Sequence, residues 1–224
     1  MALGRRRLPL FPLNVVLFPE MTLPVRIFEQ RYLRMVDDCV EGDGLFGVVG
    51  IRHGPEVGGP ALPYDVGTTA RIVGVERKSE ELLFITTVGE ERFRIRRLVD
   101  GKPYLVGEVE PYPLSAVDAP EVGALVSAQM TLLSPYLELL SQVSELQIQV
   151  QRVPETPSSL AYFVGMLLQV PVAAKQQLLS APDLPTMLTQ GAALLRSDLA
   201  GLTVLIQGQS AREPLVDPPV FSAN

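Results

Sequence analysis

Along the first half of the chain the apolar residues recur mainly with a period of two. Beyond residue 120 they recur with a period near 3.6. Arg7 to Leu13 and Asn14 to Phe18 read as short strands, because Pro9, Pro12 and Pro19 would break a helix and suit bends and sheet edges. Residues 19–24, PEMTLP, read as a proline-bounded loop that carries Met21 and Leu23. From Ile27 the apolar positions Phe28, Tyr32, Met35, Val36, Cys39 and Val40 form the stripe of an amphipathic helix, and Gly42 and Gly44 end it. LFGVVGI (45–51) is a buried strand, and 52–67 is a loop rich in Gly and Pro. Residues 68–89 are two strands joined by a charged turn at Arg77–Glu81. EERFRIRRLV alternates Phe93 and Ile95 with Arg92, Arg94 and Arg96, and KPYLVGEVEPY is one more strand. Short strands with little helix between them predict a small antiparallel barrel or sandwich.

The helical half opens at residues ~120–141, with Val122, Leu125, Val126, Met130, Leu133 and Leu137 at helical spacing and Pro135 expected to kink or split the helix. Thr156 followed by Pro157 reads as an N-cap with proline at the first helical position, starting a helix to about Gln169. A short helix over PVAAKQQLLSA and a longer one from Leu184 complete this half. The proline-rich stretch 111–120 marks the change of period. The organisation predicted is a β-rich unit at 1–115, a helical unit at 116–208 and a flexible tail at 209–224.

Charge sharpens this division. Residues 1–110 hold 15 Lys/Arg against 16 Asp/Glu, and residues 111–224 hold 4 against 9. The helices expose Gln, Ser and Thr where charges usually stand, so they could also bury against a second copy as a homodimer. The net charge of −6 lacks the basic footprint of a nucleic-acid binder. A single cysteine, Cys39, permits no disulfide framework. The prolines of residues 8–32 argue against a secretory leader. The 19 uncharged residues between Glu155 and Lys175 include Ser, Thr, Gln and two prolines, and read as a buried helix and not a membrane span. A cytoplasmic protein is expected.

Candidate chemistry is sparse. The one Gly-Lys pair, Gly101-Lys102, precedes Pro103 and lacks the spacing of a phosphate-binding loop. Cys39 and the lone His53 could pair as nucleophile and base, but a cysteine on an apolar helix stripe is most simply buried. Glu80-Glu81 and Glu90-Glu91 read as solvated strand ends. Arg92, Arg94, Arg96 and Arg97 offer a phosphate-binding face for RNA, although Glu108 and Glu110 on a neighbouring strand can neutralise it. No cofactor, metal or catalytic residue is predicted.

The run LPLFPLNVVLFPEMTLPVRIFEQRYLRMV resembles the start of the N-terminal substrate-binding domain of Lon proteases, which small stand-alone bacterial proteins and cereblon share. The likeness continues through LFGVV, VGTTARIVGVE, GEERFRIRRLV and PYLVGEVE, and returns at VPVAAKQQLLSAPDLPTMLTQGAALL, covering about residues 8–200. It implies an α+β fold: a PUA-like twisted antiparallel β-barrel with one helix, followed by an α-helical bundle. It also implies a non-enzymatic module without ATPase or protease parts, binding unfolded or degron-bearing polypeptides or a partner protein. Phe18, Met21 and Leu23 are the peptide-binding candidates, and the groove between barrel and helices is a further one. The alternative is an RNA-binding PUA-like protein using Arg92–Arg97. Glu20 departs from the glycine usual after Phe-Pro, so the turn there is expected to differ.

Overall fold

The computed structural model describes residues 4–59, 61–143 and 154–210. The elements are β1 (Arg6–Leu13), β2 (Thr22–Ile27), α1 (Gln30–Glu41), β3 (Leu45–His53), β4 (Leu62–Ser79), β5 (Leu82–Val99), β6 (Leu105–Pro111), α2 (Val122–Val143), α3 (Pro157–Leu167), α4 (Val172–Leu179) and α5 (Leu184–Ser210). The strands form one sheet in the order β2-β5-β4-β3-β1-β6, and β6 also reaches β5. The α+β class with its helical C-terminal half is as expected. The barrel takes the form of a twisted, curled sheet with β2 left on an edge, not a regular closed barrel. It is also mixed, since β1 and β3 run parallel while the other pairs are antiparallel.

The strand assignments change most in the middle. The strand expected at 82–89 and the one expected at 90–99 are a single strand, β5. Its first half pairs with β2 and its second half with β6. It bends near Gly89, where a Cβ would stand 2.3 Å from the Phe18 carbonyl oxygen, so only glycine admits the close approach. Residues 14–18 are not a strand. Their backbone is held by side chains instead, as where Thr68 Oγ1 donates to Leu17 O at 2.6 Å. β2 begins at Thr22, so Leu23 lies in a strand and not in a loop, and α1 begins at Gln30, three residues after Ile27.

From Leu8 on, β1 is buried on both faces, which explains why that part of its sequence is apolar throughout. Leu8 and Leu10 join Leu45, Val49, Phe93 and Val109 inside the curled sheet. Phe11 and Leu13 join the α1 stripe of Tyr32, Leu33, Met35, Val36 and Cys39. Cys39 is 4% exposed, and burial first, then Asp43 and Asp38, push its thiol up to about 12. At pH 8 about 10⁻⁴ of it is thiolate. The native protein should therefore resist iodoacetamide at pH 8 and react only in denaturant; rapid modification of folded protein would contradict this burial. A pKa raised in the folded state makes the contribution full below pH 8.5–9 and lost as pH climbs from there towards 12.

The helices enclose the largest apolar cluster, and Val16, Phe18 and Val66 enter it from the sheet side. α2 runs through Pro135 without splitting. Thr156 caps α3 as expected, accepting from Ser159 N at 3.1 Å with Pro157 in the first turn. On α5, Asp198 Oδ2 accepts from Tyr136 Oη at 2.6 Å and from Gln169 N at 2.7 Å, tying α5 to α2 and to the end of α3. The tail expected from residue 209 falls, from residue 211 on, outside the described residues. No described helix is long and apolar enough to cross a membrane.

Candidate functional site

Among the described residues β2 pairs with β5 alone, which leaves its other side as the edge of the sheet. Gly89 N donates to Met21 O at 2.9 Å, and Thr87 Oγ1 donates to Leu23 O at 3.0 Å. The alternation of an antiparallel ladder then turns the backbone of Thr22, Pro24 and Arg26 towards the free side. Pro24 has no N–H to offer there, which blunts the edge against pairing with another strand.

Beside this edge lies a groove of about 340 Å³. Its floor comes from Phe11, Leu13, Ile27 and Tyr32, and its rim from Leu23, Val25, Phe28 and Val57. The rings of Phe11 and Tyr32 stand 4.3 Å apart between centroids, tilted by 39°. Burial raises the pKa of the Tyr32 phenol, opposed in part by Arg31, whose guanidinium sits 4.5 Å from the ring centre. Phe28 is 49% exposed and Val57 52%, so two large apolar side chains flank one opening. Apolar pairs of this kind around a concavity mark contact surfaces more often than scattered exposed residues do.

The far wall, residues 54–59, is tied in place. Glu29 pairs with Arg31 at 2.9 Å and accepts from Gly58 N at 3.2 Å, while Arg31 donates to Gly59 O at 3.2 Å. Glu56 accepts from Asn14 N at 2.9 Å and Asn14 Nδ2 at 3.0 Å. Both carboxylates at the groove are thus occupied with holding the wall, which keeps the opening formed without a ligand.

The three peptide-binding candidates separate. Leu23 lines the groove and is half-buried. Met21 is half-buried and packs against both the helical and the α1 clusters. Phe18 is completely buried against Gly165 of α3 and presents no surface. The turn after it keeps a glycine-like shape although Glu20 occupies it. Glu20 has φ +70°, its N donates to Gly89 O at 2.7 Å, and its carboxylate accepts from Ser159 Oγ at 2.6 Å. These bonds hold a conformation that favours glycine.

The four arginines of this strand do not share one free face. Arg92 is 2% exposed and donates through Nη1 to Leu179 O at 2.6 Å and Ala181 O at 2.8 Å, at the end of α4. Arg94 stacks 4.0 Å over Tyr112, Arg96 pairs with Glu110, and Arg97 pairs with Glu108 at 2.6 Å. Glu90 pairs with Arg71, and Glu80 and Glu81 are exposed at the β4–β5 turn. Cys39 is buried in α1, whereas His53 ends β3 in an exposed position. The groove expected between sheet and helices exists at about 250 Å³, lined by Pro19, Glu91, Pro111, Pro113 and Tyr162 among others. It is smaller than the β2 groove.

Sequence reasoning missed Phe28 and Val57. Phe28 fits the helical stripe by spacing but precedes the helix, and Val57 is one apolar residue in a polar loop. The available signal was that Val57 stands alone among Gly, Pro and Glu.

A family model for the ATP-dependent protease La (LON) substrate-binding domain matches residues 7–197. The Lon protease of Anaeromyxobacter dehalogenans is 32% identical over 180 residues, 79% of this chain and 21% of its own length. Lon protease 2 of Myxococcus xanthus is 31% identical over 180 residues, 79% of this chain and 22% of its own. The chain therefore spans about a fifth of the length of these curated relatives. The crystal structure of a Lon N-terminal domain protein from Xanthomonas campestris superposes with a TM-score of 0.62 at 29% identity, covering 84% of this chain and 98% of that one. The N-terminal domain of the Mycobacterium avium complex Lon protease, at 21% identity, shares the fold with a TM-score of 0.67 over 85% of this chain and 98% of that one.

Proposed function

Given that this chain belongs to the LON substrate-binding domain family, we propose that it is a non-enzymatic module that binds unfolded or degron-bearing polypeptides, in a cytoplasmic setting. The observation that carries this reading is the preformed groove beside β2, with Phe28 and Val57 exposed on either side of an aromatic floor. An extended chain can set one apolar side chain between them while its neighbours stay in water. Leu23 and Val25 line the same opening, and Met21 beside it is an adaptable neighbour. The two carboxylates of the groove, Glu29 and Glu56, are already bonded to its wall, and most of the remaining lining is apolar or aromatic. Such a lining suits binding and release of an apolar side chain.

The test is titration of a reduced, permanently unfolded polypeptide, followed by NMR or calorimetry. Phe28→Ser and Val57→Asp change exposed residues, so each should alter stability by no more than about 0.5 kcal/mol. Each should weaken binding about tenfold, the effect of removing an anchor from an interface centre. Unchanged affinity in both variants would place binding elsewhere and overturn the assignment of the groove.

A further inference from the structure

The charges around the β2 groove are unequal in what they have left to give. Three charged side chains line it: Arg26, Glu29 and Glu56. Glu29 is neutralised by Arg31 and also accepts from Gly58 N, and both Glu56 oxygens already accept from Asn14. Arg26 is exposed and meets no carboxylate within 4 Å among the described residues. Its only described contact of this kind is with Phe28, whose ring centre is 5.9 Å from the guanidinium carbon. A cation held beside the exposed aromatic anchor thus keeps its hydrogen-bond donors free.

The free edge points the same way. Because Pro24 removes a donor from the outward side of β2, recognition by strand addition is weakened and side chains must carry the selectivity. Resting on the polypeptide-binding reading above, we propose that the groove selects an extended segment with an apolar or aromatic anchor residue immediately beside an aspartate or glutamate, the anchor lying against Phe28 and the carboxylate on Arg26. Arginine suits this role because its planar fork takes a carboxylate bidentately and can remain stacked on the ring. Lysine-flanked anchors meet Arg26 as a like charge and are disfavoured.

The experiment uses three otherwise identical, end-capped peptides in which a central phenylalanine is flanked by Asp, Asn or Lys. Each is titrated into the wild-type chain, Arg26→Gln and Phe28→Ser by calorimetry at low and high salt. The aspartate peptide should bind the wild type about fivefold more tightly than the asparagine peptide, and the lysine peptide more weakly than either. The preference should vanish in Arg26→Gln and shrink at high salt. In Phe28→Ser all three should weaken together. Equal affinity for Asp and Asn peptides, or a preference that survives in Arg26→Gln, overturns the role of Arg26 while leaving the groove intact. If none of the peptides binds the wild type, the groove reading itself fails and this inference falls with it. A wild-type dimer that Phe28→Ser converts to monomer, seen by light scattering, would assign the groove to a second copy and likewise overturn the proposal.

Discussion

Replacing Phe18 with alanine should lower stability by about 3–5 kcal/mol, the usual loss for a large buried aromatic. Phe18 has no exposed surface and sits where the turn before β2 meets α3. A Cβ on Gly165 would lie 2.4 Å from the tip of its ring, so the helix approaches as closely as glycine allows. Gly165→Ala alone should cost about 1–3 kcal/mol through overpacking, set against a helix-propensity gain of about 1 kcal/mol. In the Phe18→Ala background the clash is gone, so the same Gly165→Ala change should become neutral or stabilising. Urea denaturation of the four proteins measures this coupling. Additive effects would mean that ring and helix do not meet. The β2 groove is built from other residues, so if it binds peptides as proposed, any Phe18→Ala protein that remains folded should keep the wild-type affinity.

The second large effect concerns Arg92. Alanine there should cost about 3 kcal/mol, because two charge-assisted bonds disappear and the carbonyls of Leu179 and Ala181 lose their buried donor. Burial lowers the pKa of Arg92, and Tyr162 and Tyr112 oppose that shift; an arginine stays charged under such conditions. Arg97→Ala, by contrast, should leave the denaturation midpoint almost unchanged, since its pair with Glu108 is solvent-exposed and screened. Denaturation midpoints of the two variants make the comparison directly. Similar small losses in both would show that Arg92 does not bind the sheet to the helices.

Arg92 also shows why part of the reading failed. In sequence it alternates with Phe93 and reads as one of three outward arginines. In the fold the pairing of β5 with β4 slips register between Arg92 and Gly89, and this irregularity breaks the simple alternation. A cation can be buried there because two helix-end carbonyls await it, and those carbonyls are nearly 90 residues away. Arg96 and Arg97 were legible, since Glu108 and Glu110 lie on the strand that follows and short connections pair neighbouring strands.

The candidate site was half legible. The prolines of residues 8–24 signal an edge and a bend, and Leu23 does line the groove. Phe18 is also apolar and also beside a proline, yet it is sealed beneath α3. Nothing local distinguishes the two, because exposure depends on which distant element covers a position. Phe28 and Val57 lie nearly 30 residues apart in sequence, and long-range bonds bring them to one opening: Glu29 and Arg31 to Gly58 and Gly59, and Glu56 to Asn14.

By itself, then, the sequence determined the order and kind of the elements: a strand-rich half, an amphipathic α1 and a charge-poor helical half. Those follow from periodicity, proline placement and capping, all of which act within a few residues. Tertiary structure decided the rest: that two strands are the single bent β5, that the sheet is mixed, which arginine is buried, and which apolar residues face water. Such outcomes depend on contacts between residues far apart in the chain, where the gain from burial and from satisfying buried carbonyls outweighs local preference.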